Sequence, residues 1–331
     1  MQGVRVIAIG LVLAGLMLGI ATPAPARPLE VIARPVSGPP EGLEDPVWRG
    51  IKAVEIPTRG RDSFAGQTVL VQVRAVYTQE EIFFLFEWSD PTESVIKSSW
   101  RFDGTGWSHL KGNEDRIALL FEINRINKFA QRGCAVTCHG PAGSLSEGRI
   151  FATETAAEKG DLWHWTAARS APVGHADDAW LGDADLLGEY TPPKRTGRRK
   201  DTGQGGDVHN ETDDGGRPRY HQDPNRRASS PGFLLFEEAV PITDYSVFKA
   251  GDIIPYRLPV RPTGSRADIK ALSRHDGRGW RVMLRRKLDT GHDDDVAFDP
   301  KKRYSFAIGL FDDSGDDHSK ATEPITLKFE R

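Results

Sequence analysis

From Thr68 to Tyr77 the chain alternates, with Val69, Val71, Val73, Ala75 and Tyr77 on one side and Gln72 and Arg74 on the other. A period of two is that of a half-buried strand. Glu81 to Trp88 (EIFFLFEW) follows after a polar turn, and Arg116 to Ile123, Phe233 to Val240, Trp280 to Leu288, Arg303 to Phe311 and Ile325 to Phe329 are further strand candidates. Helical periodicity is sparse. Asn124 to Arg132 and Ala156 to Arg169 are the best candidates, the second weakened by Gly160. The pattern predicts a mainly β fold, an antiparallel β-sandwich decorated by a few short helices.

Interruptions in that pattern organise the chain. Residues 27–42 are rich in Pro and Gly and predict a loose lead, with order starting near Asp45-Pro46-Val47-Trp48. Residues 182–230 turn to Gly, Asp, Arg, Lys and Pro with few large apolar side chains, which predicts a long polar loop, either a solvated excursion or a lid or docking arm. Strands lie on both sides of this loop and neither side looks complete alone, so residues 43–331 read as one interrupted sandwich. Residues 1–26 differ again: Arg5, an apolar run from Val6 to Ile20 and Ala24-Pro25-Ala26 have the form of a cleaved secretory signal peptide. The run is shorter than the ~20 residues that cross a bilayer, so the mature chain is expected in the periplasm without a stable membrane anchor.

The chain has 331 residues, 38% of them hydrophobic, with 44 Lys plus Arg against 47 Asp plus Glu. That length can bury a sizeable core without a disulfide framework, leaving the two cysteines available for chemistry. A net charge of −3 argues against general affinity for nucleic acid or an anionic membrane.

Those cysteines stand in Gly133-Cys134-Ala135-Val136-Thr137-Cys138-His139. Two thiols followed at once by an imidazole is the logic of c-type haem attachment, the sulfurs forming thioethers and the histidine ligating iron. The usual gap is two residues and here it is three. A Cys134–Cys138 disulfide is the main competitor in an exported chain. Zinc lacks further ligands, and a redox dithiol also has a two-residue gap as its usual form.

Several segments, in order, carry a resemblance. Asp45-Pro46-Val47-Trp48, Glu87-Trp88-Ser89-Asp90-Pro91-Thr92, the GCAVTCH segment, Asp161-Leu162-Trp163-His164-Trp165 and the closing FAIGLFDDSGDDHSKATEPITLKF together resemble the haem-binding domain family of the ethylbenzene dehydrogenase and dimethylsulfide dehydrogenase γ subunits. The resemblance runs from about residue 43 to the C-terminus, outside the polar loop. It implies a β-sandwich carrying one haem and an electron-transfer role beside a periplasmic molybdenum enzyme. Those γ subunits hold a non-covalent b haem through Met and Lys, whereas Cys134, Cys138 and His139 point to a covalent c-type branch; haem b is the alternative.

With His139 proximal, iron needs a sixth ligand or an open position, and the candidates are the other histidines and the lysines. Met1 and Met17 leave with the signal peptide, and Met283 sits among strand residues as packing material. His318 ranks first, because it lies between the last two strands where the resembled subunits place their ligating Lys. His164 is second, flanked by Trp163 and Trp165; His175 and His292 follow, and His109, His209, His221 and His275 lie in polar sequence. Asp293-Asp294-Asp295 and Asp312-Asp313 with Asp316-Asp317 lack the spacing of the twelve-residue calcium loop and read as solvated turn carboxylates. Arg281, Arg285, Arg286 and Lys287 form a basic strip, read as a charged strand face that could also pair with haem propionates. Phosphate-cradling loops, nucleophile elbows and HExxH are absent from the sequence, so no hydrolase or kinase is suggested. The sequence thus predicts an exported monohaem c-type cytochrome that passes electrons to or from a redox partner, which the resemblance implies to be molybdenum-enzyme subunits. The alternative is a haem-free binding module closed by a Cys134–Cys138 disulfide.

Overall fold

The computed structural model describes residues 29–60, 67–137, 151–184, 196–223, 233–315 and 318–331. The fold opens with β1 (Leu29–Pro35), β2 (Val54–Gly60), β3 (Thr68–Tyr77) and β4 (Glu81–Ser89). A small hairpin of β5 (Trp100–Phe102) and β6 (Trp107–His109) precedes β7 (Arg116–Asn124). One helical turn, α1 (Phe129–Arg132), runs into a 3-10 turn at Gly133–Thr137. Then come β8 (Lys159–Thr166), β9 (Asp177–Leu181) and β10 (Arg198–Lys200). Five short strands lie in satellite sheets: β11 (Gly206–His209), β12 (Tyr220–Gln222), β13 (Ala239–Pro241), β14 (Ile253–Ile254) and β15 (Arg257–Val260). β16 (Lys270–His275), β17 (Gly279–Lys287), β18 (Tyr304–Phe311), β19 (Ser319–Ala321) and β20 (Ile325–Phe329) complete the chain.

The main sheet runs β10-β9-β8-β7-β18-β19-β2-β3-β4-β17-β16, and it folds over on itself. Its pairings along this path are antiparallel, while β1 lies parallel to both β20 and β3 and closes one side. The two halves meet through aromatic rings. Phe84 of β4 lies 5.9 Å from Trp163 of β8 and 6.2 Å from Phe121 of β7, and Trp165 lies 4.9 Å from Trp280 of β17. This is the expected mainly β, antiparallel sandwich.

The strand alternation of β3 holds as read: Val71, Val73 and Ala75 are fully buried. β4 is buried on both faces, since Phe83 and Leu85 pack with Trp48, Val76 and Met283 in a second cluster behind the sheet. Met283 is therefore packing material. Between the halves, the buried Arg286 guanidinium donates to Asp161 Oδ2 (2.5 Å) and Asp295 Oδ1 (3.0 Å), and it lies 4.8 Å from the Trp163 ring. Such a pair is geometrically specific, and removing one partner strands a charge in the core.

Several local expectations change. Ala156 to Arg169 contains strand β8, because Trp163 and Trp165 enter the sandwich while Leu162 and His164 are buried on the opposite face, so both faces are covered and the period is masked. Asn124 to Arg132 shortens to the four-residue α1. Phe233 to Val240 is a 3-10 turn at Phe236–Glu238 followed by β13. Within residues 27–42, Leu29–Pro35 is a strand paired with β20 and β3. The polar loop at 182–230 contains β10, β11 and β12. Arg286 is buried, not part of an exposed basic strip, and Arg281 pairs with Glu44 and Glu87. Residues 1–26 lie outside the described residues. Among those described, no helix is long and apolar enough to cross a membrane.

Candidate functional site

β8, β7 and β18 are neighbours, and their registers stack side chains into rows on the face turned away from the sandwich core. One row holds Leu162, Leu120 and Ala307; the next holds His164, Ala118 and Gly309; the third holds Thr166, Arg116 and Phe311. Ala118 and Gly309 lie mid-sheet, yet both are only half-buried. The middle row is therefore a shallow floor of small residues.

Histidines bound that floor. A β-carbon built on Gly309 would lie 3.6 Å from His318 Cδ2 and 3.8 Å from Phe311 Cε2. The Phe311 ring stacks on His318 with centroids 5.1 Å apart and lies 6.0 Å from the His164 ring. The two candidate distal ligands thus flank a single phenyl ring.

The cysteine segment borders the same face. Ile126, Phe129 and Val136 bury themselves against Leu120, Leu162 and Ala307, with Cys134 half-buried among them. Gly133 takes φ +56, and a β-carbon there would lie 3.8 Å from the Ala307 Cβ. Thr137 Oγ1 donates to the Cys134 carbonyl (2.9 Å), and Ala152 N donates to the Thr137 carbonyl (3.1 Å), fixing the turn. Cys134 is thereby set over the row adjoining His164, Ala118 and Gly309. Cys138 and His139 lie outside the described residues.

Cations surround His164, although Arg169 and Lys97 pair with the buried Glu114 and Arg198 with Asp177. Burial, reinforced by Arg198, Arg116, Arg169 and Lys97, holds the His164 pKa well below its ordinary value, so the ring is neutral. Burial also lowers Lys97 to about 8. Arg116 lies 3.9 Å over the Phe311 ring and donates to the Ser314 carbonyl (2.5 Å). Arg198 Nη2 sits 3.4 Å from His164 Nδ1 and pairs with Asp177 at 2.9 Å. A guanidinium cannot accept, so in this contact Nδ1 accepts and the ring proton lies on Nε2. Nε2 is buried without a hydrogen-bond partner among the described residues. In this arrangement His164 Nε2 is a buried donor without an acceptor among the described residues.

The other histidines have different employment. His292 Nδ1 lies 2.8 Å from Asp268 Oδ2, His175 Nε2 2.7 Å from Lys270 Nζ, and His109 and His209 pack on Tyr256. The acidic turn at 293–295 departs from the expected solvated cluster: Asp294 and Asp295 are buried. Sequence reading missed Ala118, Gly309, Phe311, Arg116 and Arg198. The available signal was the glycine inside the apolar run FAIGLF, since glycine within a strand often marks a close approach.

A comparison with curated proteins finds no match. Among solved structures, the chain is similar to a family 9 carbohydrate binding module from Caldicellulosiruptor kristjanssonii in complex with glucose, at 8% identity over 92% of this chain and 96% of that one, TM-score 0.36. It is also similar to a putative carbohydrate-binding protein from Bacteroides uniformis ATCC 8492, at 9% identity over 92% and 99%, TM-score 0.38. The family described as ethylbenzene dehydrogenase matches residues 45–323, and the chain belongs to that family.

Proposed function

We propose that this protein is a periplasmic monohaem c-type cytochrome, a γ-like electron-transfer subunit or partner of a molybdenum enzyme. The observation that carries the reading is the half-open row of Ala118 and Gly309, bordered by the Cys134 turn on one side and by His318 on the other. Membership of the ethylbenzene dehydrogenase family supports the molybdenum-enzyme context. The residues fit a porphyrin: a small-residue floor for its face, two sulfurs in sequence order, imidazoles for iron, and the guanidinium groups of Arg116 and Arg198 nearby for propionate charge.

In this reading Cys134 and Cys138 hold the haem c covalently, His139 is the proximal ligand and His318 the distal one. His164 is the alternative distal ligand, if Arg198 releases Nδ1. Haem so bound supplies a one-electron couple at iron. The chain's own part is to fix the imidazoles, exclude water with Leu120, Leu162 and Val136, and set positive charge at the edge. Two imidazoles fill the iron, which suits electron transfer rather than substrate binding, and place the potential below that of a His/Met site.

Expression in an export-competent host with a haem-attachment system tests this. The reading requires haem that stays on the denatured chain and c-type absorption bands on reduction. Extractable haem would return the b-type form; a colourless chain with a Cys134–Cys138 disulfide would return the haem-free binding module.

A further inference from the structure

A second buried cluster lies apart from the cysteine segment, between the sandwich and the polar excursion. Asp201 follows β10, and Asp294 and Asp295 lie in the connection from β17 to β18. One carboxylate oxygen from each falls within 4.8 Å of the other two. Calcium binds carboxylate oxygens at about 2.3–2.6 Å, so oxygens on one ion are at most about twice that apart. The three carboxylates meet that limit.

Asp201 supplies the independent observation. It is 3% exposed, and among the described residues neither carboxylate oxygen has a hydrogen-bond partner. A buried carboxylate without donors is costly, and native structures pair it or place it on a metal. Asp178, fully buried on the neighbouring strand and accepting at its carbonyl from Asp201 N, has both carboxylate oxygens in the same condition. The buried guanidinium groups near it are committed elsewhere, Arg286 to Asp161 and Asp295 and Arg266 to Asp177, while Asp295 Oδ2 also accepts from Thr290 Oγ1 at 2.6 Å.

We propose that Asp201, Asp294 and Asp295 bind one hard divalent cation of the calcium class, which straps the polar excursion to the sandwich. The oxygen-only donor set excludes zinc and copper as preferred occupants, and three carboxylates leave positions for water. This site is independent of haem.

The full chain, stripped with chelator, is titrated with CaCl2 by calorimetry and melted with and without calcium. The expected result is one calcium per chain, with a melting temperature that rises several degrees and falls back on chelation. Asp201→Asn and Asp294→Asn should each weaken calcium binding at least tenfold, whereas Asp293→Asn, an exposed neighbour, should not. No binding heat and no calcium-dependent melting shift at about 10 mM CaCl2 would overturn the proposal. So would an Asp201→Asn chain that melts higher than the parent while the parent ignores calcium, the behaviour of buried neutral acids. Should either variant fail to fold, calcium stoichiometry and chelator response of the unaltered chain still decide.

Discussion

Gly309 separates what the fold needs from what a ligand needs. It sits inside β18, where a glycine costs roughly 0.5–1 kcal/mol relative to alanine through lost chain entropy. A β-carbon there would meet His318 Cδ2 at 3.6 Å, Phe311 Cε2 at 3.8 Å and the Ser319 carbonyl at 3.9 Å, all ordinary contacts. Gly309→Ala should therefore stabilise the haem-free chain by about 0.5–1 kcal/mol, raising its melting temperature by roughly 1–4 °C for a domain of this size. Gly309→Leu extends a side chain across the floor between His164 and His318, where the porphyrin face would lie. It should stay folded yet carry severalfold less haem per chain. Calorimetric melting of the haem-free protein and haem absorbance per chain measure the two effects separately. A Gly309→Ala chain that melts lower, or a Gly309→Leu chain with full haem and an unaltered spectrum, would refute the reasoning.

Removal of the buried guanidinium in Arg286→Met should cost about 3–5 kcal/mol in urea unfolding, because Asp161 and Asp295 lose their partner; adding Asp161→Asn should recover part of it. His318→Ala should keep covalent haem but lose the low-spin spectrum and bind carbon monoxide, whereas His164→Ala should leave the low-spin spectrum in place. The Asp115 carboxyl is raised to about 6 chiefly by burial, although Ser94 N and Trp280 Nε1 donate to it at 2.8 and 2.9 Å. Its folded pKa lies above the unfolded one, so the native state binds the extra proton and stability falls as pH rises from about 4 through 6, by at most about 1.4 kcal/mol per unit. Asp115→Asn should lack that slope in unfolding measured across the window.

How much of this was legible depends on range. β3 could be read from local alternation, and β18 and β20 from short apolar runs between turn residues. β8 could not, because Leu162 lies under the α1 layer and His164 is buried beside it while Trp163 and Trp165 enter the sandwich, which erases the exposed half of the pattern. β1 escaped because its strand character comes from parallel partners almost three hundred residues away at β20. Cys134 and His318 stood out in the sequence as candidate site residues. The floor beneath them was not, since Ala118 and Gly309 become neighbours only through the register of β7 on β18. The acidic turn was misjudged for the same reason: Asp201 reaches Asp294 and Asp295 only in the folded chain.

Intact mass spectrometry of the exported, denatured protein decides whether haem is covalently attached. The expected result is a signal-cleaved chain heavier by one haem, with Cys134 and Cys138 both resistant to thiol alkylation. A chain at its bare polypeptide mass, less the two hydrogens of a Cys134–Cys138 disulfide, would contradict it.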